Sequence, residues 1–108
     1  MAFTGIVISP DGSVKKQTFH GYYDLYNAVG GYLELLPLRQ LRHVAYINED
    51  GIALGLPRNR LATDLCFQTN VGLHPNDYIK GVMVIAGPGD DAGEDTDVSP
   101  EMLARFGL

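Results

Sequence analysis

Three pairs of turn-forming residues constrain the fold of this chain more than any other feature, because they divide it into short segments. Asp11-Gly12 and Asp50-Gly51 are typical of tight reversals between strands, since glycine readily adopts the positive φ that such turns need. Gly30-Gly31 follows an amphipathic segment and is typical of the end of a helix. The sequence therefore predicts several short strands and helices.

Apolar and β-branched segments between these turns predict the strands. Two hairpins are expected, one around Asp11-Gly12 and one around Asp50-Gly51. Pro37 is expected to end the strand before it, because proline cannot donate a backbone hydrogen bond. The last segment is almost continuously apolar, which is typical of a central strand. The predicted strands are Phe3–Ile8, Val14–Phe19, 32–36, His43–Asn48, 52–55 and 78–86.

A first helix is predicted after the first hairpin, because apolar residues recur there at helical spacing. Tyr22, Leu25, Tyr26 and Val29 share one face of this helix. Tyr23 lies on the opposite face, so its ring is expected to be exposed. Six of the ten aromatic residues are tyrosines, and tyrosine is enriched at protein interfaces. Tyr23 is therefore a candidate binding residue.

Two further helices are predicted from their capping residues. Asn59 is well placed to cap a helix over Arg60–Gln68, since its side-chain oxygen can accept from the first free amides. Cys66 shares the apolar face of that helix, so we expect it to be buried and unreactive. Ser99 and Pro100 are a cap and a first-turn proline, and they predict a short C-terminal helix.

Charge is unevenly distributed along the chain, whose formal net charge is -5. Residues 88–108 contain six acidic residues and one arginine, whereas residues 1–87 contain equal numbers of acidic and basic residues. We expect an α+β domain over 1–87, followed by an acidic, mobile linker with a short C-terminal helix over 88–108. The acidic balance argues against a general nucleic-acid-binding protein.

Composition disfavours several other classes of protein. A single cysteine forms no intramolecular disulfide and is typical of a reducing compartment, so we expect a cytoplasmic protein. No apolar run approaches the roughly 20 residues that span a bilayer, so no membrane association is expected. The three histidines are far apart, and no His-Cys or Cys-Cys pair has metal-binding spacing. We expect no metal, no other cofactor and no catalytic residues.

The step Arg58-Asn59-Arg60 is the main candidate for a binding site. Arginine presents a planar fork of donors that suits phosphate or carboxylate, and a helix N-terminus also favours anions. The step therefore predicts an anion-binding corner. The alternative is that Asn59 only caps the helix, while both arginines are solvated or pair with Glu49 and Asp50. Glu34 is a further candidate, either as the partner of an arginine or as an acid or base.

Several spaced motifs together resemble one family. They are Gly30-Gly31-Tyr32-Leu33-Glu34, Asn48-Glu49-Asp50-Gly51, Leu54-Gly55-Leu56-Pro57, Asn59 with Ala62, and Gly81. In this order they are similar to DUF3846, a family of small proteins from bacteria, mobile elements and phages with no established activity. The resemblance covers most of residues 14–87. It implies a small mixed α/β domain, often phage-encoded and expressed in the host cytoplasm, and it implies no catalytic residues.

The predicted order of elements indicates an α+β fold. We expect a mostly antiparallel sheet of five or six strands, with two or three short helices packed on one face. One possible function is a non-enzymatic phage or mobile-element accessory protein that binds and modulates a host protein, with homo-oligomer formation also possible. Another is a binder of an anionic small molecule, for example a sponge for a nucleotide signal. An enzyme acting on a phosphate-containing substrate is least favoured, because no base or nucleophile is evident.

Overall fold

The structure, a computed structural model that describes residues 2–108, contains five strands and three α-helices. In chain order these are β1 (Phe3–Ile8), β2 (Val14–Phe19), α1 (Tyr22–Val29), β3 (Leu33–Leu38), β4 (His43–Asn48), α2 (Arg60–Gln68), β5 (Met83–Ala86) and α3 (Pro100–Arg105). All strand pairs are antiparallel, in the order β2-β1-β5-β4-β3. This confirms the predicted α+β class. None of the helices described within residues 2–108 is long and apolar enough to cross a bilayer.

Alternation along the strands divides the core between the two faces of the sheet. In β1, Ile6 and Ile8 pack in a cluster with residues of α2 and α3, whereas Phe3 and Val7 pack in a cluster with residues of α1. Helices therefore cover both faces of the sheet. The expectation that all helices pack on one face is wrong, because helical periodicity identifies the buried side of a helix but not the sheet face that it meets.

The second hairpin is formed by different segments from those predicted. β3 pairs with β4, with Leu33 opposite Asn48 and Leu38 opposite His43. Residues 52–55 form turns after β4 and no strand. Pro37 lies within β3 instead of ending it, which is tolerated because β3 is at the edge of the sheet and has a ladder partner on one side only.

The last strand occupies the centre of the sheet, as predicted, but it is shorter than expected. β5 lies between β1 and β4 and covers only four residues. The residues before it pair with the start of α2: the amide of Asn59 donates to the carbonyl of Ile79, and the amide of Gly81 donates to the carbonyl of Pro57, both at 2.7 Å. The start of α2 is thereby tied to the segment that enters the central strand.

The C-terminal segment folds back onto β1. The amide of Val98 donates to the carbonyl of Thr4, and the amide of Thr4 donates to the carboxylate of Asp97 at 2.6 Å. Ser99 caps α3, as predicted, by accepting from the amide of Met102, and Met102 is buried in the larger core cluster. The mobility predicted for the acidic residues that precede this helix stays a prediction.

Candidate functional site

A cavity of about 280 Å³ lies beside α2, on the sheet face that carries the larger core cluster. Leu36 of β3, Ile47 of β4 and Cys66 of α2 form the apolar part of its lining nearest the sheet. Parts of two loops, within residues 48–52 and 71–80, complete the lining. Concave, partly apolar sites of this kind commonly bind small ligands.

A buried asparagine holds the first of these loops in place. Asn48 accepts from the amide of Asp50 at 2.7 Å and donates to the carbonyl of Val29 at 3.1 Å. Gly51 lies close to the next loop: a Cβ there would be only 3.1 Å from the carbonyl oxygen of Lys80, a tight contact. The turn after β4 therefore packs against the segment that leads into β5, and the two together wall the cavity.

Three acidic residues and one lysine are among the residues that line the cavity. They are Glu34, Glu49, Asp77 and Lys80. Within residues 2–108, none of these carboxylates forms an ion pair with a basic side chain, and the ion pair described there joins Arg60 and Asp64. The lining therefore carries a net negative charge.

The position of Glu34 follows from the register of the sheet. Glu34 lies opposite Ile47, and its side chain points to the face of Leu36, as its alternation with Leu33 and Leu35 predicts. Its pairing with an arginine, considered from the sequence, is not observed in the described part of the chain, where Glu34 is exposed and lines the cavity.

The two arginines of the predicted anion corner lie in different surroundings. The guanidinium carbon of Arg58 lies 4.3 Å from the centroid of the Tyr78 ring, and this ring lines the cavity. The side chain of Arg60 is 93% exposed, and its nearest acidic partner is Asp64, at 4.0 Å. The structure therefore brings Arg58, but not Arg60, to the border of the cavity.

Asn59 is fully buried between these exposed arginines. Its Oδ1 accepts from the amide of Ala62 at 3.1 Å, which confirms the predicted helix cap. Its Nδ2 donates to the carbonyls of Ile8 and Gly81, both at 2.9 Å. Both polar atoms of the side chain are thus bonded inside the protein, so the geometry explains Asn59 as a structural residue.

Two potentially reactive side chains, those of Cys66 and His43, are buried in the protein. Cys66 is buried, as predicted, and burial raises the pKa of its thiol to about 11. His43 is buried with both ring nitrogens bonded: Nδ1 donates to the carbonyl of Leu41, and Nε2 accepts from the amide of Ser99. Within residues 2–108, no group of three His, Cys, Asp or Glu side chains is arranged to hold a metal ion.

A second candidate surface lies on the opposite face of the sheet. It consists of Tyr22, Tyr23, Tyr26 and Tyr32, and we call it the tyrosine surface. The ring centroids of Tyr22 and Tyr23 are 5.7 Å apart, those of Tyr22 and Tyr26 are 6.0 Å apart, and those of Tyr26 and Tyr32 are 5.6 Å apart. Tyr23 is 77% exposed, which confirms the expectation for its ring, and Tyr32 is 61% exposed.

Sequence reasoning missed two features of these surfaces. The first is the cavity itself, because the loop over residues 71–80 carries no periodic pattern that would place it beside β3. The second is Tyr46, whose hydroxyl donates to the carboxylate of Asp95. Burial, together with this acidic partner, raises the pKa of Tyr46. Tyr32, by contrast, could have been grouped with the tyrosines of α1, since it directly follows the glycines that end the helix.

Comparisons with known proteins identify a family but no activity. A search of curated proteins and a search of solved structures each found no match. The family model described as Domain of unknown function (DUF3846) matches residues 3–107. The match extends beyond the motif-bearing region and includes the acidic segment and α3. Because it covers nearly the entire sequence, the chain belongs to the DUF3846 family.

Proposed function

We propose that the protein is a non-enzymatic accessory protein that acts by binding another protein through the tyrosine surface. The observation that carries this proposal is the continuous row of four neighbouring tyrosine rings, three of them substantially exposed. Tyrosine offers a large apolar ring with few rotatable bonds and a polar hydroxyl, so it contributes strongly at the centre of protein interfaces.

The size of the surface fits the centre of an interface. The three exposed rings present on the order of 400 Å², which is within the range for the largest apolar patch of a monomer. A stable interface buries about 800 Å² on each partner. The tyrosine surface would therefore supply the centre of the interface, and the polar residues around it would supply the rim.

The proposed setting is the cytoplasm of a bacterial host that carries a phage or mobile element, and the proposed partner is a host protein. Support comes from the resemblance of the sequence motifs to proteins of phages and mobile elements. A second copy of this chain is the alternative partner, because a self-complementary patch produces a symmetric dimer.

The other two candidate functions have less support. A nucleotide binder or an enzyme acting on phosphates needs an excess of positive charge at its site, and the residues that line the cavity include three acidic residues but one lysine. Arg58 at the cavity border is the observation that favours an anion. The bonded nitrogens of His43 and the raised pKa of Cys66 favour a protein without a catalytic base or nucleophile.

Affinity capture from a bacterial lysate, followed by reconstitution with the purified partner, tests this proposal. The double variant Tyr23→Ser and Tyr32→Ser should weaken the reconstituted complex by about 30-fold or more. Phe67→Ser is the matched control, because Phe67 is an exposed aromatic residue on α2, which packs on the other face of the sheet. Equal losses in both variants, or a chain that recovers no stoichiometric partner and sediments as a monomer, would contradict the proposal.

A further inference from the structure

The acidic loop between β5 and α3 lies beside the tyrosine surface and lines a cavity of about 290 Å³. We propose that residues 88–96 of this loop form a lid over the cavity, and that opening of the lid admits the partner protein of the tyrosine surface. The hydrogen bond between the Tyr46 hydroxyl and the Asp95 carboxylate is the latch of this lid. The identity of the occupant rests on the proposed function, whereas the opening of the lid is measured on the protein alone.

The cavity under the lid continues the tyrosine surface. Tyr22 belongs to both, since it lines the cavity and its ring lies next to those of Tyr23 and Tyr26. The apolar part of the lining comes from α1 and the sheet, and it consists of Phe3, Leu25, Leu33 and Tyr46. The exposed tyrosines supply about half of the area that a stable interface buries on one partner. Because the cavity adjoins them, the same partner protein is the occupant that this position favours.

The lid is folded by hydrogen bonds within itself, so it can move as one unit. The amide of Asp90 donates to the carbonyl of Glu94 at 3.0 Å, and the amide of Gly93 donates to the carbonyl of Asp90 at 2.9 Å. The carboxylate of Asp90 also accepts from the amides of Ala92 and Glu94, both at 2.9 Å. None of these bonds involves the sheet, so they can persist when the lid leaves it.

Few contacts attach the lid to the rest of the protein. Residues 88–94 are exposed, so the outer part of the lid buries no side chain in the core. Within residues 2–108, two hydrogen bonds join the lid to its surroundings. In the first, the amide of Gly87 donates to the carbonyl of Thr96 at 2.8 Å. The second is the latch between Tyr46 and Asp95. Segments with so few buried contacts open at a lower free energy than the core.

The residues that follow the lid are held separately from it. The carboxylate of Asp97 accepts from the amide of Thr4 at 2.6 Å, and the amide of Val98 donates to the carbonyl of Thr4 at 3.0 Å. On the other side of the lid, Gly87 is buried and directly follows the central strand β5. The lid can therefore pivot between Gly87 and Asp97 while α3 stays in place.

The closed position of the lid carries two costs that opening relieves. The hydroxyl oxygen of Thr96 is buried and has no hydrogen-bond partner within residues 2–108. Asp95 is half-buried, and its carboxylate forms no ion pair with a basic side chain in the same part of the chain. When the lid opens, water hydrates both groups, and buried polar groups without such compensation favour the hydrated state. The closed lid is therefore held weakly.

Hydrogen exchange of the Gly87 amide, followed by NMR, measures the opening, because this amide is bonded to the lid through Thr96. Tyr46→Phe removes the latch and keeps the ring, so it should accelerate this exchange by about fivefold. The amide of Val98, bonded outside the lid, is the internal control and should exchange at an unchanged rate. An unchanged rate at Gly87, or equal acceleration at Val98, would overturn the lid.

Thr96→Val tests the opposite direction. It replaces the buried hydroxyl by a methyl group of similar size, so it should stabilise the closed position and slow exchange at Gly87 by about threefold. Faster exchange at Gly87 would show that the hydroxyl supports the closed position, and it would contradict a weakly held lid.

Two variants that each remove one negative charge from the lid test its effect on the partner. Asp95→Ala breaks the latch and should tighten binding of the captured partner by about fivefold. Asp91→Ala is the matched control, since Asp91 is exposed, and it should leave binding unchanged. Equal effects would assign the change to charge alone, and weaker binding of Asp95→Ala would place the lid within the interface. Both results overturn the proposal. If no partner is found, the proposed function fails, and exchange at Gly87 still decides whether the lid opens.

Discussion

The two faces of the sheet share the same five strands but differ in how they are covered. The face under α2 and α3 buries thirteen core residues and the side chain of Asn59, whereas the face under α1 buries seven and carries four tyrosines at its surface. Because burial of apolar area dominates folding free energy, the first face should contribute more to stability. The second face is the better candidate for binding a partner protein.

The comparison predicts a large loss of stability at Asn59. Asn59→Ala removes three hydrogen bonds and leaves the carbonyls of Ile8 and Gly81 without these buried donors. We expect a loss of about 4 kcal/mol in the free energy of unfolding, measured by urea denaturation. That is a large part of the roughly 5–15 kcal/mol that stabilises a typical domain.

The control for this prediction is Asn76→Ala, at an exposed position in the loop before β5. It should change the free energy of unfolding by about 0.5 kcal/mol or less. Similar values for the two variants would show that the buried bonds of Asn59 are replaced by other bonds and that the larger core cluster does not depend on them.

Gly87→Ala tests whether the acidic segment before α3 is held in place over the sheet face that α1 covers. A Cβ at Gly87 would overlap the carbonyl oxygen of Asp97, which belongs to the backbone and cannot simply rotate away. If the segment is held as in the structure, the variant should lose about 2 kcal/mol of unfolding free energy. A segment that is mobile in solution would move aside at little cost. A change of less than about 0.5 kcal/mol would therefore support the predicted mobility.

Local chemistry explains why some elements could be predicted from the sequence. The left-handed conformation of Gly30 and the caps of Asn59 and Ser99 depend on three or four neighbouring residues, and all three occur as expected. Pro37 was misjudged because the edge position of β3 depends on strand order, which no local pattern contains. The face that each helix covers is likewise a property of the whole sheet.

The candidate site was less predictable than the fold for the same reason. Glu34 could be assigned to a strand face by alternation, and Arg58 to the residue before a helix cap. Their common neighbour is the loop over residues 71–80, which contributes Tyr78 and Asp77 to the cavity and is positioned by contacts distant in sequence. The additional bonds of Asn59 to Ile8 and Gly81 also join distant segments.

Tyr46→Phe tests the contact between the acidic segment and the face under α1. The variant removes the hydrogen bond to Asp95 and should lose about 1 kcal/mol at neutral pH. The ordinary pKa of tyrosine is 10.0, and burial together with Asp95 raises the pKa of Tyr46 above this value in the folded protein, so Tyr46 ionises first in the unfolded chain. The stability that Tyr46 contributes is therefore complete below about pH 10 and is lost as the pH rises from there through the folded-state pKa.

The measurement is the difference in unfolding free energy between the parent protein and Tyr46→Phe as a function of pH. Because all other titrating groups are shared, this difference isolates Tyr46. It should be constant at neutral pH and should shrink above about pH 10. A difference that stays constant, or grows, through that range would contradict the partly buried hydrogen bond between Tyr46 and Asp95.

The smallest expected change in stability provides the sharpest test of the two-face comparison. Tyr23→Ser removes a ring that is 77% exposed, so the free energy of unfolding should change by no more than about 0.5 kcal/mol. Leu25→Ala, on the same helix but buried, should cost about 2–5 kcal/mol. If Tyr23→Ser lowers stability as much as Leu25→Ala, the tyrosine ring contributes to the core and not to a free surface. A stable variant that no longer binds the partner would instead separate binding from folding on this face, because the substitution would then affect only contacts made outside the protein.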